Sequence, residues 1–482
     1  MHCISAFMLW LALYFPQLPL ESFTASSYIE HNQAAQVVLE QNRVHLANTA
    51  ALSAGIVPGC SLATAHSIAP SLQHFRRDPN REAAELKKLA ESLYGFSSLV
   101  SLAPPDSIVL EIQGSLKLFA QKDLVIDTKA LCENLGFTCL TGMAATATAA
   151  IALARSQSQR LNDALLDHCG LEHQHIKHHV VEQLANMGLS TLGALLSLPR
   201  NEVAQRFGKP LVLYLDKLEG TRHEPRNAIQ PAATFERKIH LLQPITNKQQ
   251  LFKGPMSKLS LELQQWLIGH QLGCEKLTWR FVEHSNNASA LHVRFTQGKQ
   301  RQLDLLSVSQ LQLDQATLPT DVLSIELKLI SSTPWSTRPK DLFPTTQGAN
   351  NNGQSIGELV DALTARLGPQ ACQQIHSNNQ HTPEYAWQFK AVLQSAAHSA
   401  LNKHRQASRP LWLLSKPHPV KAVDLQLLQG PERIQSEWWL HSDARDYYIA
   451  QHRNGALCWV YCASVILGEL QNHEFYLHGY FA

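Results

Sequence analysis

The sequence predicts a multidomain fold that combines α/β and α+β domains and ends in a C-terminal extension. With 482 residues, the chain exceeds the usual size of a single domain. Strands and helices alternate over residues 9–155, which is typical of an α/β domain. Over residues 277–330, polar and apolar residues instead alternate with a period of two, which indicates strands with one buried face.

The first domain begins with an apolar strand, residues 9–15, which Pro16 ends. Residues 33–47 contain a second strand, VVLE, and a polar turn, and small-residue helices follow as far as Ile68. Residues 80–96 form an amphipathic helix. The remaining elements are a strand after Pro104-Pro105, a helix over 123–136, a strand over 137–143 and an alanine-rich helix over 144–155. This order predicts an α/β domain with an inserted helical lobe.

Residues 160–230 have an all-helical pattern, and a long helix then precedes the period-two strands. Residues 345–355, rich in Asn and Gly, are the best candidate linker. A helix (356–368), a tryptophan-rich strand region (409–440) and a hairpin-like tail (445–482) follow. The C-terminal tryptophans are predicted core residues: Trp412, Trp438, Trp439 and Trp459.

Composition limits the functional classes. A hydrophobic content of 44% and a charged content of 17% are typical of a soluble globular chain. Because the formal charge is only +2, any contact with nucleic acid must come from local basic patches. The nine cysteines are scattered and include no CxxC pair, which argues against a zinc site and favours a reducing cytoplasm.

The N-terminus is apolar from Ile4 to Phe15 but has no basic segment before it. Pro16 ends this stretch well short of the roughly 20 residues of a membrane span. We therefore predict a buried first strand and no membrane association. The strand pattern begins near Met8, so either Met1 or Met8 can be the true start.

A histidine-rich run lies where the helical region begins: His168, His173, His175, His178 and His179. Its spacing matches no zinc-binding pattern. We interpret it as a solvated polar turn and predict neither a metal site nor a cofactor.

Three stretches resemble the Y-family DNA polymerases, over roughly residues 8–345. Leu11–Glu21 (LALYFPQLPLE) resembles the opening palm strand, where a D-x-D pattern precedes aromatic residues and a glutamate. Ala54–Pro70 resembles the fingers segment, and Leu184–Gly208 resembles a thumb helix–hairpin–helix that turns at Met187-Gly188-Leu189. The resemblance implies a right-hand organisation: palm (8–160) with inserted fingers (roughly 22–78), helical thumb (161–230), little finger (231–340), linker with a candidate clamp motif (341–355) and C-terminal partner-binding region (356–482).

Polymerisation by that family requires two divalent metals held by clustered carboxylates. When that family's motifs are laid on this sequence, the two aspartates of D-x-D correspond to Ala12 and Tyr14, and the later Asp-Glu pair corresponds to Asp106 and Ser107. Only Asp106 keeps a carboxylate, and one such group cannot hold two hard cations. The resemblance therefore implies that the metal site is degenerate.

The residues that contact the triphosphate in that family are also replaced. Its fingers Tyr and Arg fall at Thr49 and Leu52, and its palm lysine falls at Ala147. We therefore expect a polymerase-like pseudoenzyme, in which Asp106 is an ordinary turn residue. The alternative is an active translesion polymerase that uses Asp106, Glu111 and further acids.

The resemblance extends to the C-terminus and is most specific there. The stretches that carry it are Leu359–Trp387 (with LVDALTARLGPQA and HTPEYAW), RPLWLL, GPERI, Trp438-Trp439, RDYYIA and YLHGYFA. Together they resemble the ImuB family, the polymerase-like component of a bacterial damage-inducible (SOS) mutagenesis cassette. That family implies a non-catalytic protein that binds the sliding clamp, the RecA-like protein ImuA and an error-prone replicative-type polymerase.

The clamp-binding peptide of that family follows the little finger and resembles Q-L-x-L-F. At this place the chain has Pro339-Lys340-Asp341 followed by Leu342 and Phe343, without the leading glutamine. Leu342 and Phe343 are the candidate clamp-binding residues, with a plain exposed loop as the alternative. A second partial motif, Gln249–Phe252, lies on a predicted helix, where we expect Leu251 in the core.

DNA contacts are predicted in two places, neither of them sequence-specific. Gly188 permits the thumb hairpin to approach phosphate with its backbone N–H groups, with an ordinary helix turn as the alternative. In the little finger, basic residues on the strands are expected to face phosphates, with a solvated strand face as the alternative. These residues are Arg280, Arg294, Lys299, Arg301 and Lys328.

Overall fold

The computed structural model describes residues 8–25, 34–170, 176–283, 287–319, 321–335, 356–378, 380–392, 409–435, 444–463 and 474–481. The chain divides into two compact units, Met1–Arg366 and Leu367–Ala482. Within the described ranges, no helix is both long and apolar enough to cross a membrane.

The palm is built on a four-stranded antiparallel sheet with the order β5-β6-β1-β7. Its strands are β1 (Trp10–Tyr14), β5 (Val100–Ala103), β6 (Ser107–Glu111) and β7 (Leu140–Ala144). Helices α4 (Pro79–Ser92) and α5 (Gln121–Asn134) pack on one face, and α6 (Ala147–Ser156) packs on the other. Because both faces of β1 are covered, its sequence WLALY is apolar at every position.

The fingers lobe, inserted between β1 and α4, corrects the prediction of a helical lobe. It contains a three-stranded sheet, β3-β2-β4, as well as helices. The elements are α1 (Leu18–Thr24), β2 (Gln36–Glu40), β3 (Arg43–Ala47), α2 (Thr49–Ser53), α3 (Leu62–Ile68) and β4 (Gln73–Arg76). The strands β3 and β4 were missed because each is only four or five residues long and mixes charged with apolar residues.

In the described part of the thumb, every regular element is a helix, as predicted, and residues 221–230 form an irregular segment. Its helices are α7 (Leu166–Gly170), α8 (His178–Asn186), α9 (Leu192–Leu196), α10 (Arg200–Phe207) and α11 (Lys209–Glu219). They enclose one apolar core that includes Leu184, Leu192 and Tyr214.

The little finger pairs four antiparallel strands in the order β10-β9-β11-β8 with a layer of helices. The strands are β8 (Glu236–Ile245), β9 (Leu272–Glu283), β10 (Ala288–Lys299) and β11 (Val322–Pro334). Helix α12 (Lys248–Leu251) continues through a π-helical turn (Phe252–Met256) into α13 (Ser257–His270), and α14 (Gln302–Gln315) follows β10. Leu251 is completely buried, which confirms that it is a core residue.

Helix α15 (Ile356–Leu367) packs against the little finger through polar groups. The buried Asp361 accepts a hydrogen bond of 2.7 Å from the backbone N–H of Thr296, and Glu358 forms an ion pair with Lys299. Four aliphatic side chains of α15 are therefore left exposed on its outer side: Ile356, Leu359, Leu363 and Leu367.

The second unit combines a hairpin with a five-stranded antiparallel sheet. The hairpin strands are β12 (Gln373–Ser377) and β13 (Trp387–Ala391). The sheet has the order β14-β18-β17-β16-β15, with β14 (Trp412–Val420), β15 (Leu425–Ile434), β16 (Arg445–His452), β17 (Leu457–Ala463) and β18 (Phe475–Tyr480). The predicted fold class, a mixed α/β and α+β multidomain chain with a C-terminal extension, is confirmed.

The predicted burial of the C-terminal tryptophans holds for only one of the two in the described ranges. Trp459 is 1% exposed and stacks on Tyr447 with 4.0 Å between ring centroids. The prediction for Trp412 is wrong: it is 72% exposed, because it begins the edge strand β14. Trp438 and Trp439 lie outside the described residues.

A buried polar network ties the hairpin to the five-stranded sheet. Glu384, in the turn between the hairpin strands, accepts a hydrogen bond of 2.6 Å from Arg445 of β16. The hydroxyl of Tyr447 lies 3.0 Å from Nδ1 of His478, whose Nε2 lies 3.6 Å from Glu384.

Burial lowers the pKa of His478, and Arg445 lowers it further, although Glu384 opposes the change. Burial alone would raise the pKa of Glu384, but the hydrogen bond from Arg445, a backbone hydrogen bond and the charges of Arg445 and His478 together outweigh it, and the pKa is lowered.

We expect acidification to destabilise the second unit because of this network. A histidine with a folded pKa below its usual value of 6.5 keeps its full contribution at higher pH and loses it as the pH falls below about 6.5. His478→Gln should therefore flatten the decline of the melting temperature between pH 7 and pH 5, as measured by calorimetry of the full chain. The matched control is His418→Gln, an exposed position on β14 of the same sheet. Equal slopes for His478→Gln and the unmodified chain would contradict the expectation.

Candidate functional site

The palm site that the sequence predicts to be degenerate begins on strand β1. Ala12 pairs with Val109 and Tyr14 pairs with Ser107, and residues two apart in a strand share a face. This face is the one that α6 covers: Ala12 is completely buried in a cluster with Ala150, Ile151 and Ala154 of that helix. The D-x-D positions thus hold an enclosed methyl group and an aromatic ring.

The remaining carboxylate, Asp106, is engaged in a buried ion pair. Asp106 lies in the turn before β6, as predicted, and is only 8% exposed. Nη2 of Arg155, near the end of α6, lies 2.5 Å from its Oδ1, and the Ser107 hydroxyl donates to the same oxygen at 2.8 Å. The guanidinium carbon of Arg155 also lies 5.2 Å from the centre of the Tyr14 ring. An internal cation therefore neutralises the carboxylate.

Arg155 was missed by the sequence analysis, although a signal was present. It is the only charged residue in α6, whose other residues are small or apolar except for Thr148 and Ser156. Such a helix is expected to be buried, and a buried arginine needs a carboxylate partner. The partner is 49 residues away in sequence, so only the fold identifies it.

The other acids near the motifs are engaged locally. Glu111 pairs with Trp10 at the opposite end of β1 from Tyr14, and it accepts a hydrogen bond of 2.9 Å from the N–H of Gln113. Four residues of strand separate it from Ser107, about 13 Å. The two carboxylate oxygens of Glu21 accept the N–H of Thr138, each at 3.0 Å, and burial raises the pKa of Glu21 to about 7.

The residues at the palm site do not fit the two divalent metals that the resemblance to polymerases implies. Among the described residues, the site offers one carboxylate, which is already paired with a buried guanidinium. In the described parts of the chain, no group of three or more His, Cys, Asp or Glu side chains has the geometry of a metal site. His173 and His175 of the histidine-rich run lie outside these parts, as do residues 171–175 generally.

The three positions aligned with triphosphate contacts all lie on helices, two of them at a helix start. Thr49 begins α2, and Leu52 on the same helix is 48% exposed. Ala147 begins α6, so the eight-residue interval to Arg155 corresponds to about 12 Å along the helix. The cationic side chain at the palm site thus comes from the opposite end of α6 to Ala147.

The thumb hairpin has an open backbone at the predicted glycine. Gly188 follows α8 with a φ of 83°, a conformation that favours glycine, and no atom lies within 4 Å of the position of an added Cβ. The neighbouring Met187 is 46% exposed. The hairpin is therefore accessible to a phosphate backbone.

The little-finger sheet has one face against its helices and one open, basic face. Of the predicted residues, Arg280, Arg294 and Lys328 lie on this open face and are exposed. The structure adds Lys238 and Lys276, which sequence reasoning missed. Lys238 lies on β8, a strand that the sequence did not predict, and Lys276 lies one residue before the predicted period-two region. Two carboxylates share the face: Glu326, 3.8 Å from Arg280, and Glu236, 2.9 Å from Lys328.

One cross-strand pair on this face unites two cations. Lys276 of β9 lies directly opposite Arg294 of β10. Like charges opposite each other destabilise a sheet, and an anion that bridges them removes this cost. The pair is therefore a favourable position for a phosphate group.

The structure places the other two predicted DNA contacts away from this face. The Nζ atom of Lys299 lies 3.4 Å from Glu358 of α15, and Lys299 borders a cavity with Asp304 and Asp361 on the helix side. Lys299 therefore lies on the helix side and not on the open strand face, so its predicted position was wrong. Arg301 is exposed but precedes α14 rather than lying on a strand.

The little finger contacts the palm and the fingers lobe through charged side chains. Arg237 of β8 forms ion pairs with Glu91 of α4 in the palm and, at 3.6 Å, with Glu262 of α13. Nζ of Lys258 on α13 donates at 3.3 Å to the carbonyl of Ala25, which follows α1 of the fingers lobe, and burial lowers the pKa of Lys258. Arg237 therefore links the palm to the helix layer, and Lys258 links the helix layer to the fingers lobe.

Leu342 and Phe343, the candidate clamp-binding residues, lie outside the described ranges, as do residues 336–355 generally. In the second unit, the hairpin exposes an apolar face on which Ile375 lies opposite Phe389. Trp387 contacts Phe389 at 5.2 Å between ring centroids and is 43% exposed.

Comparison with known proteins gives consistent relatives. Residues 21–155 match the model of the impB/mucB/samB family. Two proteins called Protein ImuB, from two strains of Caulobacter vibrioides, are each 23% identical over 465 residues, a match that covers 89% of this chain and 100% of theirs.

Solved structures with detectable similarity include a ternary complex of Dbh, 17% identical with a TM-score of 0.37 over 67% of this chain and 98% of that chain. DinB from Sulfolobus solfataricus is also 17% identical, with a TM-score of 0.36 over 68% of this chain and 100% of that chain. The resemblance to ImuB that the sequence predicts is confirmed by the curated relatives and the family match: over most of its length, this chain is similar to Protein ImuB.

Proposed function

We propose that this chain is a non-catalytic, polymerase-like adaptor in damage-inducible translesion synthesis and mutagenesis. The similarity to Protein ImuB and the match to the impB/mucB/samB family support a polymerase-like role in mutagenesis. In this role the chain binds DNA without sequence preference and binds the sliding clamp. It also brings together the RecA-like ImuA and an error-prone replicative-type polymerase, in the cytoplasm.

The observation that carries the non-catalytic part is the state of the palm site. Two-metal phosphoryl transfer needs several carboxylates that converge on one point. Here Ala12 and Tyr14 provide none, and Asp106 is paired with Arg155 at 2.5 Å. Glu111, which an active polymerase was expected to use, lies at the far end of its strand.

The DNA-binding part is supported by the open face of the little finger. Five cations against two carboxylates give this face a local positive charge that the nearly neutral whole chain does not suggest. Contacts of strand side chains with phosphates carry no sequence information, so binding is non-specific and salt-dependent.

The partner-binding part rests on two features. The apolar hairpin face with Ile375, Trp387 and Phe389 supports protein contacts by the C-terminal region, since exposed aromatic side chains are favoured in interfaces. The clamp contact is proposed from sequence, at Leu342 and Phe343.

Primer extension is the direct test of the proposed function. We expect no nucleotide incorporation with Mg²⁺ or Mn²⁺, on undamaged or lesion-containing templates, from protein that binds the same template. Incorporation that Asp106→Asn abolishes would instead establish an active translesion polymerase and overturn the proposal.

We expect Arg294→Glu to weaken DNA binding roughly three- to tenfold and to reduce the salt dependence of binding, because it removes a phosphate contact and adds repulsion. Fluorescence anisotropy with a labelled primer-template at several salt concentrations measures both quantities. Lys253→Glu is the matched control, since Lys253 is exposed on the helix layer of the same domain. An equal loss in both variants would show that overall charge, and not this face, determines binding.

Replacing both Leu342 and Phe343 by alanine is expected to lower affinity for the sliding clamp at least tenfold, since apolar anchors dominate such peptide contacts. Surface plasmon resonance on immobilised clamp measures this effect, and the DNA affinity should stay unchanged. The control pair Lys340→Ala and Asp341→Ala lies in the same segment and should bind normally. Undiminished clamp binding by the Leu342/Phe343 variant would place the contact elsewhere.

A further inference from the structure

The side chain of Arg155 contacts both a carboxylate and an aromatic ring. Its Nη2 atom lies 2.5 Å from the carboxylate of Asp106, and its guanidinium carbon lies 5.2 Å from the centre of the Tyr14 ring. Its side chain is only 2% exposed. The same carboxylate oxygen also accepts the hydroxyl of Ser107. The positive charge of the Arg155 guanidinium is therefore enclosed next to the positions that align with the metal-binding carboxylates.

A buried carboxylate requires a partner of opposite charge, and either a metal ion or an arginine can supply it. A metal that bound Asp106 would have to displace the guanidinium. Arg155 would then lose the carboxylate that neutralises it, which is costly for a buried charged group. A covalently attached partner also stays present when the metal concentration falls.

The packing of α6 holds the guanidinium in place. A Cβ atom on Gly142 of β7 would lie 2.3 Å from the backbone nitrogen of Ala154 and 2.4 Å from the carbonyl oxygen of Ala150, so the helix rests directly on the sheet. Ala12, completely buried, lies beneath the same helix. Arg155 follows Ala154 immediately, and its backbone is fixed by this close contact.

We propose that Arg155 is the resident cation of the degenerate palm site: it replaces the metal charge and excludes divalent cations from Asp106. The proposal rests on the proposed function, because a catalytically active palm would need that metal. It has two consequences. The palm is stable without divalent metal, and restored carboxylates do not restore metal binding while Arg155 is present.

The test compares Mn²⁺ binding, by electron paramagnetic resonance, in full-length chains that carry Ala12→Asp and Ser107→Glu. With Arg155 retained, we expect no specific Mn²⁺ binding. With Arg155→Met added, we expect Mn²⁺ to bind at least tenfold more tightly, and with Arg155→Lys, which keeps the charge, we expect the exclusion to remain.

The matched control for this comparison is Arg160→Met in the same carboxylate background. Arg160 is exposed and lies five residues further along the chain, so its replacement removes one positive charge without opening the palm site. We expect this variant to exclude Mn²⁺ as fully as the chain that retains both arginines. Equal Mn²⁺ affinity with and without Arg155 would overturn the proposal.

Single substitutions test the same idea if the carboxylate variants do not fold. Arg155→Met in the otherwise natural chain should lower the melting temperature, and Mn²⁺ should raise it again, whereas Mn²⁺ should not affect the natural chain. If Arg155→Met does not fold, recovery of folding by the additional Asp106→Asn would support mutual neutralisation, and no recovery would overturn it.

Primer extension distinguishes the two proposals: incorporation by the natural chain rejects the proposed function, whereas Mn²⁺ binding without incorporation rejects only the role of Arg155.

Discussion

The palm depends on the neutralisation of one buried negative charge. Asp106 lies at the end of the central strand pair, where the backbone N–H of Phe15 also donates to its carbonyl at 2.9 Å. A charge at this position cannot be left unpaired, because the surrounding protein shields it from water. Arg155 meets this requirement from α6, and the small residues of that helix allow it to lie close enough to do so. Since β1 provides no further charged group here, the neutralisation of Asp106 depends on the arginine at the end of α6.

In the little finger, structural contacts and the candidate DNA-binding face lie on opposite sides of the sheet. Arg237 of β8 bridges Glu91 of α4 in the palm and Glu262 of the helix layer. Because the helices cover one face of the sheet, the opposite face, with Arg280 and Arg294, remains open. Burial raises the pKa of Glu262, although Lys258 and Arg237 oppose this change. The network therefore fixes the orientation of the basic face without any contribution from the palm site.

The sequence was sufficient where local pattern determines structure. The apolar run of β1, the amphipathic helix α4 and the alternation of β9 to β11 were all predicted, since each signal lies within a few residues. The strand β3 was missed because it is only five residues long and mixes charged with apolar residues, and β8 was missed because polar residues interrupt its alternation. At the site, the residues Ala12 and Tyr14 could be read from the sequence, but the pairing of Asp106 with Arg155 could not, because the fold alone brings them together. Lys299 was misplaced because α15, which covers it, begins 57 residues further along the chain.

An adaptor needs surfaces that keep their geometry, and the placement of charge in this chain is consistent with that need. At the palm site, opposite charges are enclosed as a pair, and we propose that this pairing excludes a divalent cation. On the little finger, Lys276 and Arg294 are instead held opposite each other on a solvent-facing sheet, an arrangement that costs stability unless an anion is bound. The first pair of charges is satisfied within the chain, whereas the second is the position that we propose for a DNA phosphate. The proposed function, DNA binding without polymerisation, needs both arrangements: one polar site that is closed and one that stays open.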